Sequence, residues 1–308
     1  MSELVATRQA FGESLYELMK ERDDVMALTA DLGESLRLLK IREEMPERFI
    51  DTGVAEANMA GVAAGLALGG LVPFAGTFGV FMTRAFDHIR VQVCQNNLHV
   101  ILVGSHGGVS NALDGASAHA LEDLAYMRAL PNMAVVYPAD ANEMHRAVRA
   151  VVKLRGPVYL RLYREATPVF TDSDAPFEID KARVEREGKD VTVAATGPQV
   201  AFALAAAAKL EAEGVSAEVI NVHTLQPLDG ETIAASATKT GRVITVEDHN
   251  VNGGLGSAVA ECLGEMWPTR LRRLAVRQFG ESGKYSELTA KLGIDTEGIY
   301  RAAKEFTV

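Results

Sequence analysis

Apolar runs without alternation recur along this chain, and most are followed by a segment of helical period. Runs such as "HVILVG" and "MAVVYP" are hydrophobic at consecutive positions, as strands become when both faces of a sheet are covered. Strands of that kind separated by helices imply a mainly parallel sheet with right-handed crossovers. In the first half the pattern predicts strands at Val25–Thr29, Leu71–Thr77, Val100–Gly104, Ala134–Tyr137 and Val158–Tyr163. Helical periods lie between them at Phe11–Arg22, Glu56–Leu68, Phe81–Gln95, Leu121–Ala129 and Glu143–Arg155. From Glu165 to Lys189 the chain turns polar and aperiodic, and then the alternation resumes to a last helix near Glu297–Phe306. The expected fold is therefore α/β, with two domains, each a mainly parallel sheet flanked by helices. The boundaries read as 1–170, a linker at 171–188, and 189–308. A length of 308 residues suits two such units of about 150 residues each.

Composition removes several classes of function. Net charge is −10, against the basic face that nucleic-acid phosphates require. The weakly polar stretch Val54–Phe86 is interrupted by Glu56, Pro73 and Arg84, so no membrane span is expected. The opening residues read as an amphipathic helix, not an export signal. Cys94 and Cys262 lie far apart in apolar patterns, which argues for reduced thiols in a cytoplasm over a disulfide or zinc site.

The stretch "RFIDTGVAEANMAGVAAGLALGG" puts Glu56 at the start of a helix rich in small residues. Read locally, Glu56 is a first-turn acid worth about 0.3–1 kcal/mol to the helix dipole. Gly61, Ala64 and Gly65 let another backbone approach, across an interface or within the domain. Read in full, the segment resembles the part of transketolases, deoxyxylulose-phosphate synthases and pyruvate dehydrogenase β subunits that carries their catalytic glutamate. The resemblance implies that Glu56 hydrogen-bonds a ring nitrogen of the aminopyrimidine of thiamine diphosphate, promoting loss of the thiazolium proton. It continues through "AGTFGVFMTRAFDHIR", where Phe78 and Phe81 fall where transketolases stack aromatics on the pyrimidine. Arg84 stands where many transketolases have a further aromatic and matches the synthases more closely. Asp31 in "TADL" matches an aspartate near cofactor and subunit contact.

Four more residues match the transketolase positions that take a sugar phosphate: Arg8, Ser35, His106 and Arg164. Each also has a plain local reading, as a helix-start charge, a cap, a loop residue and a strand-end charge. Together they form the donor set that a phosphate dianion requires. Asp114 matches an aspartate that contacts substrate hydroxyls. His119 lies one place later than the family's histidine and Ala118 occupies its position. Either His119 substitutes after a loop shift or that acceptor-side contact is lost. His249 either approaches the active site from the second domain or sits exposed on a loop.

The resemblance covers essentially all 308 residues. It does not include the Gly-Asp-Gly run and downstream Asn with which single-chain transketolases hold Mg²⁺ and the diphosphate. It therefore implies half of a split enzyme, active with an N-terminal-type partner that supplies those ligands, in an α₂β₂ assembly. No metal ligand is expected on this chain itself. The expected activity is transfer of a two-carbon ketol unit from a ketose phosphate to an aldose. Alternatives are a 2-oxo-acid dehydrogenase β subunit, a deoxyxylulose-type synthase, or a non-catalytic regulatory subunit.

Overall fold

In the computed structural model, which describes residues 3–307, the apolar runs form strands that are buried along their whole length, as in "VMALT" at Val25–Thr29. The first unit runs β1 (Leu4–Val5), α1 (Thr7–Glu21), β2 (Val25–Thr29), α2 (Leu39–Glu44), β3 (Phe49–Asp51), α3 (Glu56–Leu68) and β4 (Val72–Phe78). It continues with α4 (Phe86–His88), β5 (Ile101–Ser105), α5 (Asp123–Arg128), β6 (Ala134–Val136), α6 (Ala141–Val151), β7 (Val158–Arg161) and β8 (Thr167–Pro168). The second holds β9 (Arg183–Arg186), β10 (Val191–Ala195), α7 (Gln199–Glu211), β11 (Ala217–Asn221), β12 (Thr224–Gln226) and α8 (Gly230–Thr240). It ends with β13 (Arg242–Asn250), α9 (Leu255–Met266), β14 (Arg270–Val276), α10 (Tyr285–Leu292) and α11 (Thr296–Thr307).

The first sheet has the order β12-β6-β7-β5-β4-β2-β3 and the second β14-β13-β10-β11-β9. Both are parallel except at one edge, where β12 and β9 run antiparallel to their neighbours. Helices cover both faces of the first sheet. On one face α1 brings Phe11 against Phe74 of β4, with ring centroids 6.3 Å apart. The first turn of α6 is closed reciprocally: Asp140 accepts from the Glu143 amide at 2.9 Å, and Glu143 accepts from the Ala139 amide at 2.6 Å. Such a box contributes about 1 kcal/mol.

Two expectations need correction. The polar segment from Glu165 to Lys189 is not a bare linker. Its residues Thr167–Pro168 pair with β1, and Arg183–Arg186 pair with β11. Its polarity reflects half-exposed edge strands, which need no apolar run. The helix expected at Phe81–Gln95 is three successive pitches: a 3-10 turn at Gly79–Ala85, α4, and a π turn at Ile89–Cys94.

At the seam between the units the contact is polar. Arg161, fully buried at 0 % exposure, donates from Nε and Nη2 to both carboxylate oxygens of Asp123 at 2.7 and 2.8 Å. It also donates to the carbonyls of Ala120 (2.7 Å) and Asp248 (3.1 Å). The Asp248 carboxylate, from the second unit, accepts from the Val109 amide and the Tyr163 hydroxyl. Burial raises the Asp248 carboxyl to about 6, against the opposing pull of Tyr163 and Arg161.

Candidate active site

Parallel strands point their carboxyl ends the same way, and ligand sites in such sheets form from the loops beyond those ends. Here the loops after β2, β3, β4, β5 and β7 supply Ser35, Glu56, Phe81, His106 and Arg164 in turn. Arg8 joins them from the first turn of α1, where its amide donates to the Tyr163 carbonyl at 3.3 Å.

Glu56 is the first residue of α3 and only 4 % exposed. The loop before it is tied down by Asp51, whose Oδ1 accepts from the amides of Asp31 (2.9 Å) and Gly53 (3.0 Å). The Glu56 carboxylate accepts from Arg84 Nη1 at 2.8 Å. The Arg84 guanidinium lies 4.5 Å from the Phe81 ring centre. Phe81 stacks on Phe78 at 5.5 Å and 17°, and Phe78 meets the His106 ring at 3.9 Å. His106 Nε2 then accepts from Arg8 Nη1 at 3.4 Å, which also donates to the Ser35 carbonyl at 3.2 Å. An unbroken line of contacts thus runs from a buried carboxylate, over two aromatic rings, to an arginine cluster.

Arginine only donates, so the Arg8 contact makes Nε2 of His106 the acceptor, and Nδ1–H donates to Ser105 Oγ at 2.8 Å. Burial, reinforced by Arg8, Arg164 and Arg37, pushes the His106 imidazole down to about 3. It is a neutral hydrogen-bonding group, held at a positive φ of 59° that only surrounding structure can enforce. Burial and the charges of Arg37 and Arg164 likewise lower the pKa of Arg8, with Glu165 opposing them. Arg164 donates from Nη1 to Asn111 Oδ1 at 2.6 Å, and its amide donates to Ser110 Oγ at 3.3 Å.

The structure thus brings together Glu56, Phe78, Phe81, Arg84, Arg8, His106 and Arg164, with Ser35 joining through its backbone carbonyl. It does not bring in every expected residue. Asp31 takes part only through its backbone and its side chain is exposed. Asp114 is exposed on the turn Ala112–Asp114, without a side-chain partner in that cluster. His119 is 2 % exposed and packed beneath Gly280 of the second unit, where a Cβ would collide with its ring. Burial lowers the His119 pKa, and neither ring nitrogen has a partner among the described residues. His249 is neither exposed nor at the site: it accepts from the Ala125 amide at 3.4 Å, fully buried, and burial lowers it to about 4.

Sequence reasoning singles out neither Arg37, Asn111 nor Asp51. Arg37 stands two residues beyond Ser35 and adds a third guanidinium to the cluster. Its signal was available as a lone arginine in the loop that follows β2. The carboxylate, guanidinium and stacked rings fit a flat basic heterocycle such as an aminopyrimidine. Among the described residues no group of three or more His, Cys, Asp or Glu is placed to hold a metal ion, and no helix is long and apolar enough to cross a membrane.

Comparison with known proteins agrees with this geometry. Residues 3–169 match the model of the transketolase pyrimidine-binding domain, and residues 180–299 that of the transketolase C-terminal domain. The chain is 43 % identical over 302 residues to the 6-deoxy-6-sulfo-D-fructose transketolase subunit SqwH of Clostridium sp. (strain MSTE9), covering 97 % of this chain and 94 % of that one. It is 35 % identical over 306 residues to an apulose-4-phosphate transketolase subunit of Phocaeicola vulgatus, with 98 % of each covered. A solved structure described as a split gene transketolase, inactive beta4 tetramer, superposes with a TM-score of 0.89 at 42 % identity, over 98 % of this chain and 97 % of that one. This chain belongs to the transketolase family, of which it spans the pyrimidine-binding and C-terminal domains.

Proposed function

We propose that this chain is the pyrimidine-binding subunit of a thiamine-diphosphate-dependent transketolase, moving a two-carbon ketol unit from an anionic ketose to an aldose acceptor. The observation that carries the reading is the unbroken line from Glu56 through Phe81 and Phe78 to Arg8 and Arg164. When bound, the cofactor supplies the nucleophilic carbon that takes up the ketol unit. Glu56 holds or shares a proton at a ring nitrogen of the aminopyrimidine, while Phe78 and Phe81 orient that ring by stacking. Arg84, already on Glu56, keeps the carboxylate aimed until the ring takes its place. Arg8, Arg164 and Ser35 hold the distal anion of the sugar, with His106 as a neutral hydrogen-bonding group between rings and arginines.

The arginine cluster favours this reading over a 2-oxo-acid dehydrogenase, whose substrate has no phosphate or sulfonate. The names of the two relatives include a sulfo-sugar and a sugar phosphate, and guanidinium groups suit either oxyanion. The diphosphate and its Mg²⁺ are assigned to an N-terminal-type partner, in an α₂β₂ assembly in the cytoplasm. The small-residue face of α3 suits such docking: a side chain at Gly65 would meet nothing within 4 Å, and Leu68, one turn further on, is exposed.

The test is ketol transfer by the chain reconstituted with that partner, using a phosphorylated and a sulfonated ketose. Glu56→Gln keeps the shape of the carboxyl but cannot share its proton, so turnover falls by at least about a hundredfold while the fold is unchanged. Activity within about tenfold of wild type removes Glu56 from the chemistry.

A further inference from the structure

Two buried polar atoms at the arginine cluster have no partner among the described residues. Asn111, in the loop after β5, is 1 % exposed. Its Oδ1 accepts from Arg164 Nη1 at 2.6 Å. Since a guanidinium can only donate, the oxygen must face Arg164 and the amide Nδ2 must point away from it. That Nδ2 is buried and has no hydrogen-bond partner among the described residues. A buried donor left unpaired is costly, and native structures keep few of them without a ligand or a specific task.

A second buried donor at the same cluster shares this condition. Arg8 Nε has no partner either, although Arg8 Nη1 is engaged by Ser35 and His106. Both orphans belong to residues tied into one network with Arg8, Arg37 and Arg164, guanidiniums that act on one another or on His106. Glu165 is the one carboxylate acting on Arg8, so the three guanidiniums outnumber it and the excess charge calls for an anionic acceptor. Ser110 is neutral and already engaged: its hydroxyl donates to the Gly107 carbonyl at 2.7 Å and accepts from the Arg164 amide at 3.3 Å.

We infer that Asn111 is a substrate-positioning residue of the anion subsite. Its carbonyl oxygen sets the Arg164 guanidinium, and its amide hydrogen goes to an oxygen of the terminal phosphate or sulfonate of the ketose. The inference rests on the ketol-transfer reading for the identity of the substrate, but the anion it requires can be tested alone.

Two substitutions separate the roles. Asn111→Asp keeps an oxygen for Arg164 and strengthens that pair, but it replaces the donor with a negative acceptor. Asn111→Ala removes both functions. In the complex reconstituted with its partner, Ala raises KM for the phosphorylated ketose by about tenfold and Asp by more, with kcat unchanged. Hydroxypyruvate, which has no distal anion, keeps its kcat/KM within about twofold in both. If Asp is milder than Ala, Asn111 only orients Arg164 and the inference is overturned; equal loss with both donors overturns it as well, in favour of a role in holding the loop. On the chain without its partner, inorganic phosphate and sulfate raise the melting temperature of wild type and not of Asn111→Asp. No rise in wild type means that the orphan amide is met by water alone, and the subsite falls. A wild-type complex that binds phosphate in this way but transfers no ketol unit refutes the reaction and leaves the subsite standing.

Discussion

Arg161 and Arg164 are three residues apart in "VYLRLYR", and the chain treats them in opposite ways. Arg161 is fully enclosed, with a two-pronged bond to Asp123, two backbone carbonyls and the Tyr137 ring at 4.6 Å. Arg164 has one side-chain partner, the neutral Asn111, in company with two further arginines. A buried charge that is fully answered within the chain is part of the fabric. Three guanidiniums against the single carboxylate of Glu165 leave an excess of like charge, and proteins retain such an arrangement where a ligand completes it. Arg164 belongs to this second kind, so the two arginines divide the molecule into a part that holds shape and a part that awaits substrate.

The comparison breaks first at Arg161. Arg161→Ala leaves the Asp123 carboxylate buried without its counter-charge and costs about 3–5 kcal/mol of stability, measurable by urea denaturation. Adding Asp123→Leu to that variant recovers much of the loss, because no ion is then stranded. If the single variant unfolds at the wild-type midpoint, the seam is not held by this pair.

At Arg164 the expected effect is on substrate and not on folding. Arg164→Ala, and separately Arg8→Ala, raise KM for a phosphorylated ketose about ten- to a hundredfold and lower kcat far less, since a remote anion is gripped equally in ground and transition states. Hydroxypyruvate kinetics stay near wild type. Equal damage to both donors would assign these arginines to the fabric as well, and the contrast with Arg161 would dissolve.

A smaller effect sharpens the same division. His106 lies among the arginines with its imidazole pushed down to about 3, so it gains no proton between about pH 8 and about pH 5.5. A histidine titrating normally would add positive charge as pH falls and tighten anion binding. Here KM for a sulfonated ketose, whose charge is constant, stays flat within about twofold over that range. A fall in KM on acidification through about pH 6.5 would reveal that His106 charges after all.

Much of this architecture is legible in the chain itself, because strands covered on both faces must be apolar throughout. β2 and β5 come near that condition, each with one hydroxyl residue at its end, and are found close to where their runs suggest. What periodicity does not carry is pitch. The apolar spacing after Phe81 requires a helical turn, but packing against α3 and β5 decides between 3-10, α and π geometry. Edge strands such as β9 escape because a half-exposed ladder accepts polar residues. Residues matching the family's site could be named individually, yet their fates differ for reasons that lie elsewhere in the chain. His119 is sealed in by Gly280, and Asn111 has meaning only beside Arg164, 53 positions later. Arg161 looks like an intruder in an apolar strand until Asp123, 38 positions earlier, is folded against it.

One strand sets a limit on how this gene can be divided. The stretch between the two units has the look of a seam, and a cut there would separate two recognisable halves. Yet β12, encoded well past that seam, is the strand that closes the β6 edge of the first sheet. A ribosome has to deliver both halves before the first is finished, and a shortened gene product would carry β6 as a bare margin, open to whatever strand meets it next. Recombination that exchanges the first half alone would strand that edge.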